Sequence, residues 1–223
     1  MPELRWTLVV PIKAALDGKS RLATWLEPAL RQALARAMVG DTLAAAAGTP
    51  RVDRIVVVTA DPATARAARR AVVGAGGRVA VELVGEPEPG GLNPAVRAGI
   101  ARARRRAPDH GVGVLLGDLP ALRATDLDDA LGQAARHPLG FVADAAGTGT
   151  TLLTALPGLP VGPAFGPGSA SAHQARGHVR LVVGRGTGLA HDVDVRADLE
   201  AALALGVGPR TRRALRGATV RAD

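Results

Sequence analysis

The stretch Thr7 to Leu22 reads T-L-V-V-P-I-K-A-A-L-D-G-K-S-R-L, and it sets the fold class. Thr7 to Ile12 is apolar apart from its threonine, and Lys13 ends it far short of the roughly 18 residues a membrane span needs. A short apolar run of this kind is a buried strand. The segment after it is cationic: Lys13, Lys19 and Arg21 fall where the chain leaves the strand's carboxyl end, the edge at which open α/β sheets bind ligands.

Outward from this unit, apolar runs alternate with alanine-rich segments of helical length. The pattern predicts strands at Thr7 to Pro11, Arg54 to Thr59, Val79 to Val84 and Val112 to Leu116. Helices are expected over Leu22 to Ala47, Pro62 to Val73, Pro94 to Arg106 and Ala124 to Arg136. Crossovers of that length bring successive strands parallel, so the fold class is α/β, Rossmann-like, with helices on both faces of the sheet. Beyond Leu139 to Asp144 the Gly and Pro density rises, which predicts loops and short antiparallel strands that carry a substrate-specific insertion, before a last helix beginning near Arg196. One domain spans residues 1–223, and Arg210 to Arg221 reads as a basic, weakly patterned tail, partly disordered.

Composition narrows the chemistry. There is no cysteine, hence no disulfide, zinc-thiolate centre or thiol nucleophile. Aromatic residues make up 2% of the chain and tyrosine is absent, which leaves little for an aromatic cage or a base-stacking platform. With neither a membrane span nor a signal-peptide cleavage pattern, the expectation is a soluble, cytoplasmic protein. A net charge of +8 points to a polyanionic partner: nucleic acid, a membrane surface or a small phosphorylated ligand. Of 28 basic residues only Lys13 and Lys19 are lysines, and both lie in the first loop, where a compact charge on a flexible stem suits phosphate. Gly18-Lys19-Ser20 matches half of a P-loop, but Lys13 stands where the opening glycine belongs, and no G-x-G-x-x-G follows the first strand.

Candidate site residues come from the remaining strand ends and loops. In V-L-L-G-D-L-P-A-L, Asp118 leaves a strand at the ligand edge, where it can hold Mg²⁺ or serve as a turn-forming carboxylate. In H-D-V-D-V-R-A-D-L, Asp192 and Asp194 share one face if the segment is extended; they either meet Asp118 at a cation, or Asp194 caps the following helix. The loop Gly85 to Asn93, G-E-P-E-P-G-G-L-N, is either solvent-facing or lets a flat base approach its glycines, with Asn93 or Glu86 reading the base edge. Thr148, Thr150 and Thr151 form a hydroxyl cluster, and Gly166 and Ser169 lead into a helix with Ser169 as its expected N-cap. Together they suit a small acid bearing carboxylate and phosphate. His173 and His191 lie near these positions, but without metal or triad spacing they read as structural.

Taken in order, the motifs V-P-I-K-A-A-L-D-G-K-S-R-L-A, G-D-L-P-A-L, G-T-G-T, F-G-P-G-S-A-S-A-H and D-V-D-x-x-x-D-L resemble the guanylyltransferases of deazaflavin coenzyme F-420 biosynthesis, over nearly the whole chain. The resemblance implies a GT-A-like nucleotidyltransferase fold with a mixed, mostly parallel sheet. It also implies GTP and a small phosphorylated carboxylic acid as partners, phosphoenolpyruvate or 2-phospho-L-lactate, and neither nucleic acid nor membrane. It places Mg²⁺ on Asp118, Asp192 and Asp194. Lys13, Lys19 and Arg21 fall on the GTP phosphates, and Thr150 (or Thr151), Gly166 and Ser169 hold the acid; Gly85 and Asn93 are the nucleotide-binding candidates from the loop reading above. A sugar-phosphate nucleotidyltransferase shares the fold but usually opens with a glycine-rich first loop; a nucleic-acid binder would explain the charge alone.

Overall fold

The computed structural model describes residues 3–12, 26–76, 78–88, 90–184 and 186–216. Lys13, Lys19 and Arg21, with Gly18 and Ser20, lie outside the described residues. The strands are β1 (Trp6–Pro11), β2 (Val52–Val58), β3 (Ala80–Val84), β4 (Gly111–Leu115), β5 (Leu139–Ala143), β6 (Thr150–Ala155) and β7 (Val179–Arg180). The helices are α1 (Pro28–Ala47), α2 (Pro62–Val73), α3 (Leu92–Arg106), α4 (Ala124–Ala134), α5 (Ser169–Ala175), α6 (Arg196–Leu205) and α7 (Pro209–Arg216).

All six residues of β1 are buried because the strand is paired on both sides, with β2 and β4, and covered on both faces. That is why it reads as a continuous apolar run rather than an alternating one. Leu8 and Val10 point into a core shared with α1, α2 and α4, while Val9 points into a second core shared with α3 and α5. The sheet order is β3-β2-β1-β4-β6-β5-β7, and β6 alone among these strands runs against its neighbours. The carboxyl ends of β1 to β5 therefore share one edge, and β6 begins there. The mixed, mostly parallel sheet with helices on both faces is as expected, and the reversed strand falls in the Gly- and Pro-rich half.

Two boundaries depart from the sequence pattern. Helix α1 starts at Pro28, not Leu22: proline fits the first helical turn, where no amide hydrogen is needed, and would break a helix already under way. The expected disordered tail is also corrected over Pro209–Arg216, which is helix α7. The cause is remote in sequence. Asp41, buried in α1, accepts hydrogen bonds from the amides of Arg210 (3.1 Å) and Thr211 (2.8 Å), satisfying donors that the first turn of α7 leaves open. Gly208 lets the two segments close, since a Cβ there would lie 2.3 Å from Asp41 Cγ.

Asp41→Ala removes that acceptor pair. The expected outcome is a stability loss of about 1–3 kcal/mol in urea unfolding, with hydrogen exchange accelerated at residues 210–216 before the sheet is affected. Unchanged exchange in α7 would contradict the assignment.

Candidate active site

Asp118 lies three residues beyond the end of β4 and is half-buried at the carboxyl edge. The amide of Val193 donates to the Asp118 carbonyl at 3.1 Å, so Asp192 and Asp194 flank a residue tied to Asp118. A second tie lies two strands away, where the Ala145 amide donates to the Ala190 carbonyl at 2.8 Å. Residues 191–195 are not a strand. The outcome for the side chains is nonetheless similar: Val193 is buried against Leu34, Met38 and Leu199, while Asp192 is half-buried and Asp194 exposed. Asp194 does not cap α6. The Asp198 carboxylate does so, accepting from the amides of Asp194 (2.8 Å) and Val195 (2.9 Å).

The Asp192 carboxyl is pushed up to about 7, first by burial and then by the charges of Asp118 and Asp194, with a smaller push from Asp144. These acids thus share one electrostatic field. Among the described residues, no three His, Asp or Glu side chains close into a ligand cluster. The chemistry of the acids still fits a hard divalent cation, which takes carboxylate oxygens and relieves their repulsion. Asp144 does not stand out in the sequence. It leaves β5 at the same edge as Asp118 leaves β4, and that parallel is the signal that could have found it. Its Oδ1 accepts from the Thr148 amide at 2.8 Å, and Gly149 must lack a side chain because a Cβ would meet Asp144 Oδ2 at 2.4 Å.

The β5–β6 hairpin carries these acids to the hydroxyl pocket. Val142 pairs with Leu152 but Ala143 pairs with Thr150, so Thr151 is the extra residue of a bulge. The bulge turns Thr150 onto the face of Ala143 and Phe141, and its hydroxyl lies 2.9 Å from Nδ1 of His173. Thr151 is fully buried, and its hydroxyl has no hydrogen-bond partner among the described residues. His173 Nε2 accepts the Ala164 amide at 2.9 Å. Ser169 is buried on the same face of α5, four residues earlier, but it is the first helical residue rather than the cap. Gly168 holds the cap position at φ +71°, and Gly166 sits at φ +139°, where a side chain would be strained. The free helix amides expected to receive an anion are in part already used: Ser169 N–H donates to Gly166 and Ala170 N–H to Thr148.

The loop from Gly85 to Asn93 differs most from its expected role. Gly85 follows β3 at the carboxyl edge, exposed, with nothing within 4 Å of where a Cβ would be. Asn93 is engaged within the fold: its amide nitrogen donates to the Phe165 carbonyl (2.8 Å) and its oxygen accepts the Phe165 amide (2.9 Å), which leaves one N–H and one lone pair. Glu86 likewise closes its own loop by accepting the Gly91 amide at 2.9 Å. Asn93 instead fixes the height of the 164–166 segment over the pocket. His191 is structural as expected, with Nδ1 2.9 Å from the Thr187 carbonyl.

Residues 6–219 match the family model described as guanylyl transferase CofC like. A phosphoenolpyruvate guanylyltransferase from Sanguibacter keddieii is 48% identical, covering 94% of this chain and 84% of its own. One from Streptomyces scabiei is 47% identical over 95% and 96% of the two chains. Among solved structures, a 4-diphosphocytidyl-2C-methyl-D-erythritol synthase superposes with a TM-score of 0.59 at 15% identity, over 91% of this chain and 99% of its own. A Mycobacterium tuberculosis protein solved with manganese gives 0.56 at 20% identity, over 91% and 99%. These last two support the nucleotidyltransferase-type fold.

Burial, with help from His178 and Arg176, lowers the His173 imidazole to about 4. In the unfolded chain it takes its proton near 6.5, so its contribution to stability is complete above that pH. The contribution is lost as pH falls from about 6.5 to about 4, and amounts to at most about 3 kcal/mol. Urea midpoints measured from pH 7.5 to 4.5 should fall more steeply for the wild type than for His173→Gln; parallel profiles would remove His173 as the cause.

Proposed function

The chain belongs to the CofC-like guanylyl transferase family, and on that premise we propose that it joins GMP from GTP to the phosphate of phosphoenolpyruvate, giving enolpyruvyl-diphosphoguanosine and pyrophosphate. The observation that carries the reading is the shared edge: Asp118, Asp144 and Asp192 in one field, and Thr150 with the Gly166–Ser169 turn, joined by a single hairpin. The relatives named for this activity match along almost their whole length.

The reaction needs little proton chemistry. A phosphate monoester has its second pKa near ~6, so the attacking oxygen is already ionised at neutral pH. That oxygen forms a bond to the α-phosphorus of GTP while the bond from the α-phosphorus to the β-bridging oxygen breaks, releasing pyrophosphate. The obstacle is the approach of two anions. In this reading Thr150, Gly166 and Ser169 orient the acid, and Lys13, Lys19 and Arg21 draw charge from the triphosphate. Gly85, with no neighbour where a side chain would stand, leaves room for the nucleotide beside β3. Asp118, Asp192 and Asp194 would hold Mg²⁺, which when bound supplies further charge neutralisation. The setting is a cytoplasmic enzyme that engages neither nucleic acid nor membrane, and among the described residues no helix is long and apolar enough to cross a membrane. The closely similar 2-phospho-L-lactate is the second acceptor to test.

Pyrophosphate release, assayed with each nucleoside triphosphate against phosphoenolpyruvate, 2-phospho-L-lactate and a hexose phosphate, decides the function. Product is expected with GTP and phosphoenolpyruvate; product only with a sugar phosphate, or only with another nucleotide, overturns it. Asp118→Asn should lower turnover by about 100-fold or more with an unchanged circular dichroism spectrum, and near wild-type turnover would remove Asp118 from the site.

A further inference from the structure

Beside the buried hydroxyls of Thr150 and Ser169 lies a buried base for which the phosphoryl transfer has no direct use. His173 lies on the inward face of α5 with no exposed surface, edge-on to Phe165 at 5.2 Å and to His178 at 5.6 Å. Its two ring nitrogens have opposite duties. A backbone N–H can only donate, so the Ala164 amide at 2.9 Å requires a lone pair on Nε2. A neutral ring then carries its hydrogen on Nδ1, and burial in this apolar setting keeps the ring neutral. Nδ1–H faces the Thr150 hydroxyl at 2.9 Å, and the hydroxyl oxygen accepts. No other hydrogen-bond partner of that hydroxyl occurs among the described residues, so its own hydrogen is left to donate.

We propose that His173 is a positioning residue for the phosphorylated acceptor, holding the Thr150 hydroxyl in the one orientation that donates to an anionic oxygen of that substrate. This rests on the reading that Thr150, Gly166 and Ser169 form the acceptor pocket. An anionic oxygen only accepts hydrogen bonds, so a threonine rotor free to point its lone pairs at the substrate would repel it in part of its orientations. The ring removes those orientations. The same imidazole bonds the Ala164 amide, but the turn has a second anchor in Asn93, which makes both hydrogen bonds to the next residue, Phe165. Protonation of Nε2 would leave two donors facing each other at Ala164, so the arrangement works only with a neutral ring.

Two near-isosteric substitutions separate the duties. The amide nitrogen of His173→Asn reaches the position of Nδ1 and preserves the donor to Thr150; the carbonyl of His173→Gln reaches the position of Nε2 and preserves only the acceptor for Ala164. His173→Asn is expected to keep the acceptor KM within about threefold of wild type. His173→Gln should raise it about tenfold or more, with the GTP KM unchanged and a melting temperature equal to that of the Asn variant. Thr150→Val should raise the acceptor KM similarly, and adding His173→Gln to it should raise it no further. Equal effects of Asn and Gln, additive effects in the double variant, or a matching rise in the GTP KM would each overturn the proposal. Ring ¹⁵N shifts of His173 in the wild-type protein must report hydrogen on Nδ1; hydrogen on Nε2 overturns it without any variant having to fold. That last measurement needs no substrate, so a wild-type protein inactive on phosphoenolpyruvate would sink the functional reading while leaving the hydrogen-bond assignment to be decided by the spectrum.

Discussion

Two backbone hydrogen bonds, Val193 N–H to the Asp118 carbonyl and Ala145 N–H to the Ala190 carbonyl, hold the C-terminal segment across the carboxyl edge of the sheet. The site depends on them because its acids oppose their own assembly. Burial first, and then the charges of Asp118 and Asp194 with a smaller push from Asp144, raise the Asp192 carboxyl to about 7. What offsets the repulsion is apolar and steric. Val193 is buried in the α1–α6 cluster, worth about 1.5–3 kcal/mol for a side chain of that size. Gly188 lies so close to the Ala121 carbonyl that a Cβ would stand 2.0 Å from its oxygen.

The same edge explains how a chain with no cysteine and no histidine triad can be an enzyme. The reacting oxygen is already ionised, so the protein supplies position and field rather than a proton relay. Position comes from rigid neighbours: a hairpin pinned by Asp144, a turn pinned by Asn93, and a helix whose first amides are already bonded. The overall charge of +8 agrees with anionic substrates, but the described acid cluster is locally negative.

How much of this was legible in the sequence depends on how local each cause is. Strand β1 and helix α2 were readable because their apolar periodicity and, for α2, the Asp61 cap and Pro62 lie within the element itself. The place of Asp118 at the carboxyl edge was readable because a carboxylate shortly after a buried strand is a local signal. Helix α7 was not, since its cap is Asp41, 169 residues away from Arg210. The structural partner of Asn93 was hidden for the same reason: nothing nearby in sequence reveals that it bonds both backbone groups of Phe165, 72 residues on. Which of Thr150 and Thr151 faces His173 turns on one extra residue in a strand pairing, and a bulge leaves no compositional trace.

His173 shows why a residue can be structural by every sequence criterion and still shape the chemistry. By charge alone a cationic imidazole beside an anionic substrate would be the stronger device, yet it would need solvation that the Phe141, Phe165 and His178 rings deny it. It would also set a second donor against the Ala164 amide. A neutral ring gives up Coulomb attraction and gains a fixed donor direction at Thr150. Direction at the Thr150 hydroxyl is what the neutral ring supplies, and burial is what secures it.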